Sequence, residues 1–402
     1  MNKAIYILLF LYTVFNTYAK SFKIEGKIDG LMPGDTLYFE KISFPGYKRT
    51  AAFKVIVKEP NKFTYKGKQD HINLYSMTYR PIKGKEPISD RWGISILIED
   101  GTTILKGNVN QIYYANIKGG LYTNDLLQQA IQHEMFLGKG LGELYKLENE
   151  ADLANDRVKK QMYKNQIYEY DSIHDEEYKK ISKLYQEFYK KYPSSPHTII
   201  ELLQRINNIS YKTLLLKYEQ LDEKAKNSVY GIILKQEIDK IATLQPGQMA
   251  PDFNLKTVDG KTITLSDFKD TYVLIYHWGL CGGSFQLESS VTKLYEKYKD
   301  KLTIIGITDN LEKINQTYHK TNSDEKLFEV DRKETLKSML SHPWLETEKI
   351  EENLKVVSDY NLDSAGYPYF VFISPDGKII RKGYHDAFHD FKKILDTEFS
   401  EF

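Results

Sequence analysis

The segment Tyr272-Val273-Leu274-Ile275-Tyr276-His277-Trp278-Gly279-Leu280-Cys281-Gly282-Gly283-Ser284 reads as a strand that runs directly into a cysteine. Residues 272–276 form a short apolar run, as expected of a strand buried on both faces. From residue 285 to 298 the period becomes helical, with Leu287, Val291, Leu294 and Tyr298 recurring at steps of three and four. A cysteine between a strand end and a helix start sits among unpaired backbone N–H groups and at the positive end of the helix dipole. Both favour thiolate over thiol. Gly282 and Gly283 let backbone amides approach the sulfur closely, and the Ser284 hydroxyl is placed to donate a hydrogen bond to it. Cys281 is the only cysteine, so the chain cannot close an internal disulfide. Two readings stay open, a reactive thiol and a buried inert one. His277, four residues upstream, is a possible modulator of the thiolate if the side chains meet. The chain turns between them, and a packed or solvent-facing ring is the alternative.

Outward from this segment the pattern alternates between strand and helix. Residues 253–255 and 262–265 flank the hairpin signal Val258-Asp259-Gly260-Lys261, and Ser266-Asp267 suits a helix N-cap. Leu302–Thr308 and Tyr369–Ile373 are further apolar strands, and Pro375-Asp376-Gly377 turns the latter into residues 378–381. A helix over residues 387–399 closes the chain. This order predicts an α/β domain over residues 244–402. Pro368, in Gly366-Tyr367-Pro368-Tyr369, enters a predicted strand, where a proline is ordinarily trans.

Residues 20–119 alternate like strands, in Phe22-Lys23-Ile24-Glu25-Gly26-Lys27-Ile28, in 36–39 after the Pro33-Gly34-Asp35 turn, in 62–67, and in 94–98 before Glu99-Asp100-Gly101. An antiparallel sandwich or curled sheet is expected. Residues 120–243 read as helical, with Leu126, Ala130, His133, Leu137, Leu141 and Leu144 at steps of three and four, and a solvated Lys/Glu/Tyr-rich stretch over 157–192. Tyr192-Pro193-Ser194-Ser195-Pro196 breaks that helix before Ile199, Leu202, Leu203 and Ile206 open the next. Leu244-Gln245-Pro246-Gly247 reads as the linker into the last domain.

With 402 residues and 41% apolar content the chain supports several buried cores, and a formal net charge of +1 gives no global field for nucleic acid or anionic membranes. Lys3, the apolar run 5–14 and Thr17-Tyr18-Ala19 read as a signal peptide over residues 1–19, without a cysteine for lipid attachment. No later run approaches the roughly 18 apolar residues of a membrane span. An exported protein, in the periplasm or cell envelope, is expected, and there a lone thiol is open to mixed disulfides. His385 and His389 flank Asp386 without a third ligand, so no metal site is expected, and no phosphate loop, nucleophile elbow or dinucleotide fingerprint points to a cofactor.

Pro246-Gly247-Gln248-Met249-Ala250-Pro251-Asp252-Phe253, Asp259-Gly260-Lys261 and Leu265-Ser266-Asp267-Phe268 resemble the opening of the TlpA/ResA-like and AhpC/TSA-type redoxins. Tyr360-Asn361-Leu362, Pro368 and Phe372-Ile373-Ser374-Pro375-Asp376-Gly377-Lys378-Ile379-Ile380 resemble their closing half. The upstream half looks like the β domain of unknown function that precedes such redoxins in Bacteroidetes-type envelope proteins. The resemblance implies a thioredoxin-like fold in which Pro368 is cis, lies against Cys281 and exposes the Tyr367 backbone to an extended peptide, with Leu280 and Gly282 flanking the thiol. It implies partners among exported proteins or peptides with thiols or disulfides. Relatives carry Trp-Cys-x-x-Cys, usually with proline before the second cysteine; here Leu280, Gly283 and Ser284 stand at those places. The peroxiredoxin pattern expects threonine three residues before the nucleophile, where this chain has Trp278. The expectation is a monothiol exchange protein in which a partner supplies the resolving thiol, the alternative being a non-catalytic peptide-binding module.

Overall fold

The computed structural model describes residues 19–82, 93–316, 330–363 and 365–399. The signal-peptide reading thus lies outside the described residues, apart from Ala19. By contact density the chain divides into two compact units, one running to Tyr192 and the other beginning at Pro193, with Phe44–Tyr47 grouped with the second.

In the first unit the strands are β1 (Lys20–Asp29), β2 (Thr36–Ser43), β3 (Lys48–Ile56), β4 (Lys62–Gln69), β5 (Asn73–Arg80), β6 (Gly93–Ile98), β7 (Gly101–Asn108) and β8 (Asn116–Lys118). They form two four-stranded sheets, ordered β4-β1-β7-β8 and β3-β2-β5-β6. Phe22, Ile24 and Ile28 alternate into the core while their neighbours stay at the surface, which makes β1 one-sided. The antiparallel expectation fails at one pair, because β1 runs parallel to β7. Neither strand's apolar pattern carries direction, which is set by the path of the intervening chain. Helix α1 (Asp125–Leu153) is capped by the Asn124 side chain, which accepts the Leu126 N–H. Its buried face is Leu127, Ala130, Ile131, Leu137 and Leu141, so the stripe is turned slightly from the expected one and leaves Leu126 and Leu144 half-buried. Helices α2 (Arg157–Ile173) and α3 (Asp175–Lys191) follow; Tyr170 is the one residue of α2 that is fully buried.

The second unit opens with α4 (Pro196–Gln204), α5 (Tyr211–Glu219), α6 (Glu223–Lys226) and α7 (Val229–Thr243), which cluster with the C-terminal sheet and not with α1–α3. Leu244 to Gly247 is no free linker. Leu244 is fully buried and the Gly247 N–H donates to the Ile379 carbonyl, so this segment is built into the edge of the domain. A small hairpin, β9 (Asn254–Lys256) and β10 (Thr262–Thr264), comes next. The cap of the following turn is Thr264, reciprocated by Asp267, where Ser266-Asp267 was expected.

The central sheet joins β11 (Tyr272–His277), β12 (Leu302–Thr308), β13 (Leu345–Glu348), β14 (Tyr369–Ile373) and β15 (Ile379–Gly383) in the order β13-β12-β11-β14-β15. The first three are parallel; β14 and β15 are antiparallel. Helices α8 (Gly282–Tyr298), α9 (Val330–Met339), α10 (Leu354–Asp359) and α11 (His385–Glu398) complete the domain. Every residue of β11 is buried, because both faces are covered. Leu274 and Tyr276 meet α8 and α11 through Leu287, Val291, Leu294, Phe388 and Phe391. Val273 and Ile275 face Leu244, Leu255, Val356 and Tyr360 on the other side. Each fully buried leucine or valine of α8 contributes about 1.5–3 kcal/mol by leaving water. The C-terminal domain is a thioredoxin-like α/β fold, preceded by an all-β region and a helical region. Among the described residues no helix is long and apolar enough to cross a membrane.

Candidate functional site

The register of the central strands brings two loops together. His277, the last residue of β11, pairs with Tyr369, the first of β14, so the loop after β11 lies beside the loop before β14. The first of these carries Cys281, the N-cap of α8, in extended backbone (φ −138°, ψ 160°). The Ser284 N–H donates to Sγ at 3.4 Å, a cap bond in which sulfur takes the place of oxygen. Sγ is also 3.4 Å from the Ser284 hydroxyl and 3.4 Å from the Tyr367 carbonyl oxygen. As a thiol, sulfur can donate to either oxygen. As a thiolate, it accepts from the Ser284 N–H and hydroxyl. Ser284 is fully buried, and its Oγ accepts the Gly279 N–H at 3.4 Å. Cys281 itself is half-buried, with exposed Leu280 and Gly282 on either side. The residue thus keeps part of its surface in contact with solvent.

The second loop holds buried Pro368 behind a cis Tyr367–Pro368 peptide. Gly283 is the point where α8 meets it, since a Cβ there would lie 2.8 Å from Pro368 Cδ and 3.3 Å from His385 Cε1. Gly283→Ala is accordingly expected to displace the Tyr367–Pro368 loop, costing about 1–3 kcal/mol by overpacking and slowing reaction of Cys281. Gly282→Ala is the control, because a Cβ at Gly282 meets nothing within 4 Å. Thermal melts and thiol-labelling rates of both variants check this; equal behaviour would contradict it. His385, at the start of α11, thus stands against Gly283 of the thiol loop, a neighbour that sequence spacing does not reveal.

His277 does not reach the sulfur. Its ring is fully buried, packs on Tyr367 with centroids 4.5 Å apart, and neither nitrogen has a hydrogen-bond partner among the described residues. Burial, reinforced by Lys349, holds its pKa well below the ordinary histidine value, so the ring is neutral at pH 7 and offers a thiolate no positive charge. Its influence on Cys281 is indirect, through the position of Tyr367. Lys349 fixes the other side of that ring. Its Nζ bridges Asp309 Oδ1 at 2.9 Å and the Tyr367 hydroxyl at 3.3 Å. Burial works to raise the Asp309 carboxyl, but the Tyr367 hydroxyl and Lys349 outweigh it and hold the group below its ordinary value.

Beneath the loop lies a polar network that no motif announces. Trp278 Nε1 donates to Glu346 Oε2 at 3.1 Å, and Trp344 Nε1 to Glu346 Oε1 at 2.7 Å. His342 bridges two carboxylates, Nδ1 lying 2.5 Å from Glu346 and Nε2 2.9 Å from Glu288, while the Ser338 hydroxyl donates to Glu288 at 2.8 Å. His342 and Glu288 are 0% and 2% exposed, so this is a buried ionic cluster. Burial opposes the His342 charge, but its hydrogen bonds to Glu288 and Glu346 prevail and raise the pKa to about 9. Glu346 is raised by burial. Since Trp278 precedes the thiol loop and Glu288 lies one turn after Ser284, the cluster ties the strand end to the helix start that together present Cys281.

Residues 246–382 match the AhpC/TSA family. An 81-residue stretch is 35% identical to the thioredoxin-like protein YneN of Bacillus subtilis, covering 20% of this chain and 45% of that one. The chain spans under half the length of the curated relatives it matches. Among solved structures, the thioredoxin domain of a thiol-disulfide oxidoreductase of Bacteroides vulgatus is 23% identical, with 38% of this chain and 98% of that chain covered at a TM-score of 0.28. A thiol:disulfide interchange protein from Bacteroides sp. is 20% identical, with 40% and 93% covered at a TM-score of 0.30.

Proposed function

We propose that this chain is an exported thiol-disulfide exchange protein of the TlpA/ResA type, acting in the periplasm or cell envelope through the single thiol of Cys281. The observation that carries the reading is the seat of that sulfur: on a half-buried residue at the N-terminus of α8, with Ser284 N–H, Ser284 Oγ and Tyr367 O each at 3.4 Å. In the proposed step the Cys281 thiolate attacks one sulfur of a partner disulfide, forming a mixed disulfide and releasing the other partner sulfur as a thiolate. A second thiol, from the partner or a reductant, then attacks the mixed disulfide and returns Cys281 as thiolate. Tyr367 and Pro368 border the sulfur where an extended peptide would lie, with Leu280 and Gly282 as the exposed flank. The leader-like residues 1–19 support export.

Oxidised glutathione tests the chemistry. Reduced protein should gain one glutathione per chain by intact mass, lose it on addition of a small thiol, and gain none as Cys281→Ser. Failure of the folded chain to form the adduct would exclude the reading. The absence of a second cysteine favours one alternative, a binding module that holds extended peptides without turnover.

A further inference from the structure

A second candidate site lies on the opposite face of the sheet from α8. A pocket of about 300 Å³ opens between β15, the end of α7 and the start of α5. Ile206, Ile241 and Tyr369 give it an apolar wall, and among the described residues no Asp or Glu lines it. Lys382 lines it too. Lys382 pairs across the sheet with Val371, so its side chain leaves on the face that carries Val371 and Tyr369. It is half-buried and makes no ion pair among the described residues. Its neighbour Arg381 is different, being paired with Asp390 at 2.9 Å. Asn207 also lines the pocket. Its Oδ1 accepts from Asn361 Nδ2 at 2.9 Å, while its own Nδ2 is buried without a partner.

We infer that this pocket binds a carboxylate, with Lys382 as the counter-charge and the apolar wall holding the body of the ligand. Lys382 is a half-buried cation with no ion pair among the described residues, and a ligand carboxylate supplies the counter-charge that the fold does not. Burial lowers the Lys382 ammonium to about 8, with no carboxylate acting to raise it. The start of α5 adds the positive end of a helix at the rim. One uncompensated cation matches one carboxylate, and the volume lies at the low end of ligand clefts, which fits a body of about amino-acid size. The same chemistry is offered by a free organic acid and by the C-terminal carboxylate of a peptide.

The test is calorimetric titration of the full chain with benzoate, with a tripeptide ending in a free carboxylate, and with the same peptide as its C-terminal amide. Saturable binding of benzoate assigns the pocket to free acids. Binding of the free-acid peptide alone assigns it to chain ends. Either outcome supports the site, provided Lys382→Met weakens binding at least about tenfold while Lys382→Arg stays within about threefold. Lys382→Met should keep its native thermal transition, because it removes a charge that no ion pair among the described residues holds. Cys281→Ser should bind as wild type, which separates this site from the exchange chemistry. Absence of saturable binding by benzoate and by the free-acid peptide, or equal affinity of wild type and Lys382→Met, overturns the inference.

Discussion

Replacing His342 with alanine is expected to lower the stability of the second unit by about 3–5 kcal/mol, because it leaves Glu288 and Glu346 buried without the cation between them. Two ionised carboxylates sharing a dry site repel, and one must take up a proton or draw water inward. The damage should spread to the thiol, since Trp278 is anchored by Glu346 and α8 by Glu288. The pH dependence has a definite sign. His342 is raised from 6.5 to about 9 in the folded chain, so its contribution is complete below about 6.5 and is lost as pH rises through about 9. Glu346, also raised, acts in the same direction at lower pH. Urea unfolding at pH 6.5 and pH 9.5 checks this: the gap between wild type and His342→Ala should narrow at the higher pH. A gap that is small at pH 6.5, or that widens with pH, would refute the ionic reading.

Ser284→Cys is expected to restore an internal redox pair. Ser284 Oγ already lies 3.4 Å from Cys281 Sγ and is fully buried, the position of a resolving thiol that a partner cannot reach first. The variant should oxidise to an internal disulfide, visible as a loss of two free thiols. It should also expel a glutathione adduct from Cys281 at least about a hundredfold faster than wild type, since the attack becomes intramolecular. An unchanged adduct lifetime would mean that residue 284 is misplaced for exchange.

The legibility of this chain follows from where its apolar residues fall. β11, Cys281 and α8 could be read because an uninterrupted apolar run passes into a clean helical stripe, and the hairpin around Pro375-Asp376-Gly377 because turn residues mark it. β13 could not, since Leu345-Glu346-Thr347-Glu348 looks like surface, and Glu346 is buried only because Trp278, Trp344 and His342 satisfy it. The same holds for Lys349 and Asp309, which act on Tyr367 from distant positions. Leu244 to Gly247 looked like a linker because proline and glycine also serve where a chain enters a sheet edge. The parallel pairing of β1 and β7 left no trace in either strand. His277 shows the limit of spacing arguments: four residues separate it from Cys281, yet the turn between them sends its ring to Tyr367.

The central claim is that the native fold presents Cys281 to partners, and the most direct test is the rate of glutathione adduct formation at pH 7 by the folded chain against the same chain unfolded in urea. The account predicts that the folded chain reacts at least as fast, since the sulfur belongs to a half-buried residue at a helix N-terminus with the Ser284 N–H donating to it. Reaction confined to the unfolded chain would contradict it and leave Cys281 a sequestered remnant on a binding scaffold.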